Sequence, residues 1–318
     1  MKKSDYVVVF GGCSLDITYK QQKDGNYPNK PTAVAPGGKG SNQAVAASRA
    51  GANVKMITRL GGLPEEADIT YAIIKNLQDN GIDTSCVELA EGVHNDVGKI
   101  YVAKNGDNEI VRQTGAIDSF YPGMIDKYAD VIKQAKFVIA QMKCPKDVSV
   151  KLINFCNENN VPIVITPCRP EKLVQSDPQN VELLNKATLV TANEVECKKM
   201  FGNLPIEECV KKFPNKLIIT LGEKGAMFFD GEKVVKYDAY DVEKVIDSTG
   251  AGDTLNGNLI ASILDGRDLS SSLLRSMGAS TIKIQSETAQ QGMPKKEELD
   301  KYLEDYLAKT TGKQPGEE

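Results

Sequence analysis

Short apolar runs alternate with segments of helical periodicity along most of the chain. The run at residues 6–10 is continuous, rich in valine and followed by two glycines, as in a buried central strand. Similar apolar runs predict strands at 54–58, 137–140, 161–165, 189–191 and 217–220. Apolar residues at helical spacing predict helices at 68–80, 122–134, 147–159, 178–186 and 193–201. This βαβ series predicts an α/β fold with a mostly parallel sheet and helices on both faces.

Two hairpins interrupt the alternation. The first pairs 99–103 with 109–112 around Asn105-Gly106, and the second pairs 226–229 with 233–237 around Asp230-Gly231. We interpret the first as part of a small sheet that projects from the main layers, which makes it a candidate lid. Two further helices are predicted near the C-terminus, at 269–285 and 295–309.

A glycine-rich turn opens an apolar helix at Asp247-Ser-Thr-Gly-Ala-Gly-Asp253. The first turn of a helix presents backbone N–H groups at the positive end of its dipole, so it can bind an anion. Gly250 and Gly252 have no side chain to keep a phosphate away from that backbone. Asp253 would place a carboxylate beside the anion, where it could serve an attacking hydroxyl; the alternative is a residue that only caps its helix.

A second glycine-rich turn opens a helix of small residues at 35–51. Gly38, Lys39 and Asn42 lie close together there, and Gly51 is placed to end the helix. The spacing around Lys39 is not that of a Walker A loop. The alternative is a tight turn into the helix that binds no ligand, but three glycines beside a lysine and an asparagine favour a ligand-binding site.

Two segments follow the predicted strands at 189–191 and 217–220, where ligands bind in parallel sheets. Asn193 and Glu196 share one helix face, and they could hold Mg²⁺ through water or form a capping box. A nucleotide could bind beside Thr220, where Gly222 and Gly225 have no side chains to keep it away from the main chain.

Composition narrows the function classes. The net charge of −4, with both signs interspersed, gives no footprint for nucleic acid. The seven cysteines are scattered and never form Cys-x-x-Cys, which argues against a zinc site or a disulfide scaffold. Their number and spacing favour a reducing, cytoplasmic compartment. We expect no signal peptide, because a strand follows the N-terminus directly, and no apolar run is long enough to span a bilayer.

Five segments together resemble the ribokinase-like sugar kinases, the phosphofructokinase B-type family, and are most similar to its ribokinase branch. The matching segments are Asp16 after Gly12, Gly37-Gly-Lys-Gly-Ser-Asn42, Asn193-x-x-Glu196, Thr220-Leu-Gly222 and Asp247-Ser-Thr-Gly-Ala-Gly-Asp253.

The resemblance implies one domain over 1–318, a three-layer α/β/α sandwich with lid insertions at about 13–36 and 95–115. It also implies a homodimer that pairs through the lid. The implied reaction moves the γ-phosphate of ATP, with Mg²⁺, to a primary hydroxyl of a free sugar, ribose or a related pentose.

The resemblance also assigns roles to individual residues. Asp253 would be the base, with the N–H groups of Gly250, Ala251 and Gly252 as the anion hole. The residues that would face the sugar are Ser14, Asp16, Gly38, Lys39, Asn42 and Lys143. Those that would line ATP are Asn193, Glu196, Thr220, Gly222, Gly225 and Met277, with Glu196 also holding Mg²⁺ through water. A monovalent-cation loop would involve Asp247 and Thr249.

Several positions depart from the family pattern. Ser14 and Lys143 stand where ribokinases usually have asparagine and a sugar-contacting glutamate, which bears on which hydroxyls the pocket can pair. Thr288 and Gly292 stand where glycine and serine are usual in the cation loop, so activation by K⁺ is left open. Met277 replaces an asparagine or histidine near the adenine.

Two alternatives to a free-sugar kinase remain. A nucleoside kinase of the same family would need a larger pocket, which the small Ser14 side chain favours. A catalytically silent sugar-binding regulator is the third hypothesis, and an intact Asp253 argues against it.

Overall fold

The computed structural model of the chain describes residues 4–103, 108–168 and 177–310. In chain order, the strands in these ranges are β1 Val7–Phe10, β2 Ser14–Lys20, β3 Ala33–Gly37, β4 Val54–Gly61, β5 Asp83–Ala90, β6 Asp96–Val102, β7 Asn108–Gln113, β8 Phe137–Gln141, β9 Ile163–Thr166, β10 Leu189–Asn193, β11 Leu217–Thr220, β12 Ala226–Phe229 and β13 Val234–Tyr237. The helices are α1 Lys39–Arg49, α2 Ala67–Asp79, α3 Gly123–Lys127, α4 Ala129–Gln134, α5 Lys146–Glu158, α6 Pro178–Lys186, α7 Glu194–Phe201, α8 Ile206–Lys211, α9 Ala251–Leu264, α10 Leu269–Lys283 and α11 Lys296–Lys309.

The main sheet runs in the order β13-β12-β11-β10-β9-β8-β1-β4-β5. Its strands are parallel from β5 to β11, and β12 and β13 add an antiparallel hairpin at one edge. Strand β1 is central, since Val7 pairs with Val54 on one side and with Phe137 on the other. The prediction of a mostly parallel sheet is confirmed.

Both faces of the main sheet are covered, as the continuous apolar run of β1 predicts. Val8 and Phe10 point into a core formed with α3, α4, α5, α6, α7 and α8. Val7 and Val9 point into the opposite core, formed with α1, α2, α9 and α10. The fold is therefore a three-layer α/β/α sandwich, and the predicted fold class is confirmed.

The second sheet has the order β3-β2-β6-β7. Apart from Gly37 at the end of β3, its strands fall within the two insertions that the resemblance implies, and β6 and β7 form the predicted hairpin. The turn at Asn105-Gly106 lies outside the described residues. We did not predict β2 and β3 as strands, because the polar, proline-containing sequence between 20 and 31 hides the short apolar segments at either end.

Other elements also differ from the prediction. Strand β5 was missed because it lies at an edge of the main sheet and mixes polar with apolar residues instead of forming an apolar run. The helix predicted at 122–134 is two helices that meet at Tyr128, whose backbone leaves helical geometry. The short α8 was missed as well. In the described ranges no helix is long and apolar enough to cross a membrane.

Candidate active site

A cavity of about 230 Å³ opens at the carboxyl ends of the central parallel strands, where such sheets bind ligands. Its walls come from β9, β10, β11 and the first turns of α7 and α9. The predicted site residues in its lining are Lys39, Asn193, Glu196, Thr220, Gly250, Gly252 and Asp253. The structure therefore brings residues from four distant parts of the chain to one place.

The Asp253 side chain lies in the first turn of α9 and is only 6% exposed. Its Oδ2 accepts a hydrogen bond from Asn42 Nδ2, and its Oδ1 accepts one from Gln43 Nε2, both at 2.9 Å. These amides hold the carboxylate in one orientation, and each oxygen keeps lone-pair capacity for a further proton. In the part of the chain that the structure describes, no side chain caps the start of α9, so Asp253 is not a capping residue, and its carboxylate is held instead by the two amides of α1.

Close packing of α1 on α9 makes these bonds to Asp253 possible. Gly257 of α9 lies against α1, where a Cβ would come within 2.5 Å of Ala46 Cβ and of Ala47 N. The alanine-rich α1 and this glycine let the helices approach closely enough for short amide side chains to span the gap. The sequence indicated close packing of α1, although not its partner.

An amide chain continues behind Asp253 in two directions. Gln43 Oε1 accepts a hydrogen bond from Gln141 Nε2 at 2.8 Å. Gln290 Nε2 donates to Asn42 Oδ1 at 2.9 Å and to Ser41 Oγ at 2.8 Å. Sequence reasoning missed Gln43, Gln141 and Gln290; only Gln43, which follows Asn42 in the glycine-rich motif, carried a signal.

The floor of the cavity is a buried polar cluster of Thr166, Thr191 and Asn256. Thr191 Oγ1 donates to Asn256 Oδ1 at 2.6 Å, and Asn256 Nδ2 lies 3.3 Å from Thr166 Oγ1. Asn256 Nδ2 also donates to the carbonyl of Gly252 at 2.9 Å. The cluster therefore fastens the first turn of α9 to the ends of β9 and β10, a role that the sequence did not reveal.

The turn that opens α9 contains the three residues predicted for the anion hole, and their role stays a prediction. Gly250 has a positive φ of 83°, and a Cβ there would lie 2.6 Å from Ala289 O, so this position requires glycine. Gly250 and Gly252 line the cavity. The N–H of Ala251 donates to Ser248 O at 3.1 Å, so it is already engaged within the turn.

Asp16, one of the predicted sugar residues, lies on β2 of the small sheet. The carboxylate of Asp16 lies over Gly37 and Gly98, where a Cβ would come within 2.4 Å and 2.7 Å of its oxygens. Burial raises the pKa of Asp16, and the nearby charges of Arg112 and Lys143 oppose that shift. Arg112 and Lys143 are therefore the two cations that favour the ionised form of Asp16.

The remaining sugar-side residues connect the small sheet to the cavity. Ser14 begins β2 and is buried, and Gly38 has a positive φ of 92°, with Ser14 N only 2.7 Å from where its Cβ would be. Lys39 begins α1, and the Asp253 carboxylate raises the pKa of its ammonium. Burial raises the pKa of the Cys168 thiol to about 12, against the opposing charges of Lys39 and Lys143.

On the nucleotide side, Asn193 and Glu196 form a capping box at the start of α7. Glu196 N donates to Asn193 Oδ1 at 2.8 Å, and Asn193 N donates to Glu196 Oε2 at 3.1 Å. The capping alternative is therefore realised, but both residues also line the cavity. A water-mediated contact from Glu196 to Mg²⁺ stays a prediction.

The other predicted nucleotide residues are distributed unevenly. Thr220 lines the cavity, with its hydroxyl 3.5 Å from Ala192 O. Gly222 and Gly225 flank a short turn after β11 and both have positive φ. Met277, on α10, is 6% exposed and belongs to the same apolar core as Leu255 and Leu259 of α9, and its contact with an adenine stays a prediction.

The predicted cation loop contains an unexpected charge. Thr249 N donates to Asp247 Oδ1 at 2.8 Å. The main-chain carbonyl of Asp247 accepts a hydrogen bond from Lys283 Nζ at 2.7 Å. Sequence reasoning passed over Lys283, because a lysine near the end of a helix is usually a solvated residue.

Comparison with known proteins agrees with this geometry. The pfkB family carbohydrate kinase model matches residues 4–296. A curated ribokinase from Bacillus subtilis (strain 168) is 33% identical over 307 residues, which cover 93% of this chain and 99% of that protein. A deoxyribokinase from Salmonella typhi is 27% identical over 313 residues, which cover 93% and 98%.

Solved structures agree at the level of the fold. A ribokinase from Arabidopsis thaliana, solved with ribose and ATP, superposes with a TM-score of 0.79, and the match covers 95% of this chain and 99% of that one. Its sequence is 21% identical to this chain, so the likeness establishes the shared architecture alone.

Proposed function

Because the chain belongs to the pfkB family of carbohydrate kinases, we propose that Asp253 is its catalytic base, between ATP and a sugar hydroxyl. The chain is a phosphotransferase with an alcohol group as acceptor, and ATP is its co-substrate. The observation that carries the assignment is the buried Asp253 carboxylate, held by Asn42 and Gln43 beside the glycine-rich start of α9.

The reaction needs little covalent work from the protein. Asp253 accepts the proton of the primary hydroxyl as its oxygen attacks the γ-phosphorus of ATP. A new bond joins that oxygen to phosphorus, the bond from phosphorus to the β,γ-bridging oxygen breaks, and ADP leaves. The N–H groups of Gly250 and Gly252, at the positive end of α9, stabilise the charge on the phosphoryl oxygens.

We propose a free pentose, ribose or a close relative, as the acceptor. Asp16 on the small sheet would hold its hydroxyls, with Asn42 and Lys39 between Asp16 and the base. The test is a screen for ADP release over free pentoses, deoxypentoses, hexoses and nucleosides with MgATP. A free pentose should give the highest kcat/KM, whereas a nucleoside as best substrate would replace this acceptor class.

Ser14 and Lys143 supply a sharper test of the acceptor. Ser14→Asn combined with Lys143→Glu should raise the preference for D-ribose over any other best substrate by at least about tenfold, or about 1.4 kcal/mol. The reason is that a sugar hydroxyl can donate to a carboxylate but not to the Lys143 ammonium. The measurement is the ratio of kcat/KM values for the two sugars.

A matched control combines Ser14→Asn with Lys146→Glu, which reverses the charge of an exposed lysine nearby. That pair should leave the ratio where Ser14→Asn alone leaves it. If Lys143→Glu moves the ratio no further than Lys146→Glu does, then Lys143 does not read the sugar. If D-ribose itself wins the screen, the comparison is made against the second-best pentose.

We propose that Glu196 orders the water shell of the Mg²⁺ that accompanies ATP, since Mg²⁺ usually keeps several waters. Glu196→Gln should raise the Mg²⁺ concentration for half-maximal activity severalfold, because a charge near the ion is lost. Glutamine can still complete the capping box, so the stability of α7 should persist. Glu194→Gln, in the same helical turn, is the matched control. Superimposable Mg²⁺ titrations of both variants would leave Glu196 as a capping residue alone.

We also propose that two copies of the chain pair through the small sheet, which would act as a lid over the sugar. Val34 on β3 and Val111 on β7 are 53% and 48% exposed, at opposite edges of that sheet. Apolar side chains on exposed edge strands favour pairing with another chain.

A further inference from the structure

Lys283, the last residue of α10, has 0% of its surface exposed. Its Nζ donates to the main-chain carbonyl of Asp247 at 2.7 Å. Burying an ammonium group is costly unless nearby groups compensate the charge. Burial lowers the pKa of Lys283, and the Asp247 carboxylate opposes that shift. A fully buried lysine therefore needs a reason in the fold.

The surroundings of Lys283 give that reason. Two chain segments meet here: the turn that leads into α9, at 246–250, and the chain after α10, at 284–292. Ile246 N and Asp247 N both donate to Ile284 O, at 2.8 Å and 3.2 Å. Farther along, Gly250 packs against the backbone of Ala289. The lysine joins the segments at the start of the turn that carries the anion hole.

The monovalent cation that the family resemblance implies does not fit this loop. Such an ion would need oxygen ligands from the segment of Asp247 and Thr249. The Asp247 carbonyl is already taken by the Lys283 ammonium, which carries the same unit charge that the ion would bring. Two like charges on one carbonyl would repel each other strongly in a buried site.

We propose that the Lys283 ammonium is a built-in substitute for a monovalent cation, so that the kinase works without K⁺. Lys283 is a positioning residue in this proposal, which rests on the proposed function. Its ammonium holds the Asp247 carbonyl, and through the turn it sets the direction of the N–H groups of Gly250 and Gly252. It also places a fixed positive charge behind the site of phosphoryl transfer.

The first measurement uses the unmodified enzyme. At matched ionic strength, replacing tetramethylammonium chloride by potassium chloride should change kcat/KM by less than about twofold, since no exchangeable ion is required. Activation of the parent by K⁺ of about tenfold or more would overturn the proposal. This result requires no variant and so does not depend on the folding of a mutant.

The second measurement compares two variants. Lys283→Ala removes the charge and leaves space for an ion, whereas Lys283→Met removes the charge but keeps most of the volume. Without K⁺ both should lose turnover by roughly 10–100-fold, as the anion hole loses its support. Potassium or ammonium chloride should restore Lys283→Ala at least about fivefold and leave Lys283→Met unchanged. Equal responses of the two variants would overturn the proposal.

Thermal stability gives a readout that does not need a substrate. Potassium chloride should raise the Tm of Lys283→Ala above its value in tetramethylammonium chloride, because an ion that binds only the folded state stabilises it. The Tm of the parent and of Lys283→Met should not respond. The Tm measurement is independent of the substrate screen. If the screen finds no acceptor, the proposed function is wrong, but the response of Tm to K⁺ still tests the role of Lys283. Absence of a K⁺-dependent Tm in Lys283→Ala would count against the built-in cation.

Discussion

Replacement of Asp253 by asparagine is expected to lower turnover by roughly 10²–10⁴-fold while ATP binding persists. The amide has the shape of the carboxylate but cannot accept the hydroxyl proton. The surrounding hydrogen bonds can adapt, because Gln43 and Gln141 form a chain of amides in which Gln141 Oε1 has no partner among the described residues. The side-chain amides of Gln43 and Gln141 can each rotate by half a turn, so that Gln43 Oε1 accepts a hydrogen bond from the amide introduced at position 253.

The measurements for Asp253→Asn are the turnover with the best sugar and the affinity for ATP by calorimetry. Asp268→Asn is the matched control: Asp268 caps α10 by accepting from Ser271 N at 2.8 Å, and asparagine caps equally well. The control should keep parental turnover. Parental turnover in Asp253→Asn would show that the hydroxyl proton goes elsewhere.

Gly225→Ala is expected to destabilise the fold by about 3 kcal/mol or more. Gly225 has a φ of 87°, and a Cβ there would lie 1.9 Å from Tyr237 O, so the turn before β12 would have to move away from β13. The sequence pointed to this glycine as a place for nucleotide. The structure gives it a second reason, the approach of two backbones. The measurement is the free energy of unfolding in urea.

Gly222→Ala provides the comparison, because Gly222 also has a positive φ but no atom lies within 4 Å of its Cβ position. It should cost only the backbone strain, about 1 kcal/mol. If the two variants prove equally stable, the contact with Tyr237 is not limiting. If Gly222→Ala instead loses ATP affinity with little change in stability, Gly222 contacts the nucleotide.

The layers of the fold were predictable because local pattern decides them. A strand with apolar side chains on both faces, such as β1, can bury all of them only in a parallel sheet that is covered by helices on both sides. The glycine-rich start of α9 was predictable for a similar reason, since positive φ at Gly250 and bare backbone at Gly252 depend on local geometry.

Contacts between distant segments could not be predicted in this way. Gln290 reaches Asn42 across 248 residues of chain, and no period or motif marks that pairing. Lys283 would be exposed on an isolated helix, and only the turn at Asp247 makes it a buried charge. The family pattern placed Met277 near the adenine, but it gave no sign that the packing of α10 buries this side chain in the core.

The small sheet carries Asp16, whereas Asp253 belongs to the main layers. Three residues, 11–13, separate β1 from β2, and Gly38 alone separates β3 from α1. If Asp16 holds the sugar, the distance between the reacting hydroxyl and the base depends on the angle between the two sheets. A substitution at residues 11–13, none of which is assigned to the sugar or to ATP, could then slow phosphoryl transfer while every residue that touches the substrate stays the same. Distance from the reacting atoms would be a poor guide to which positions of this chain tolerate change.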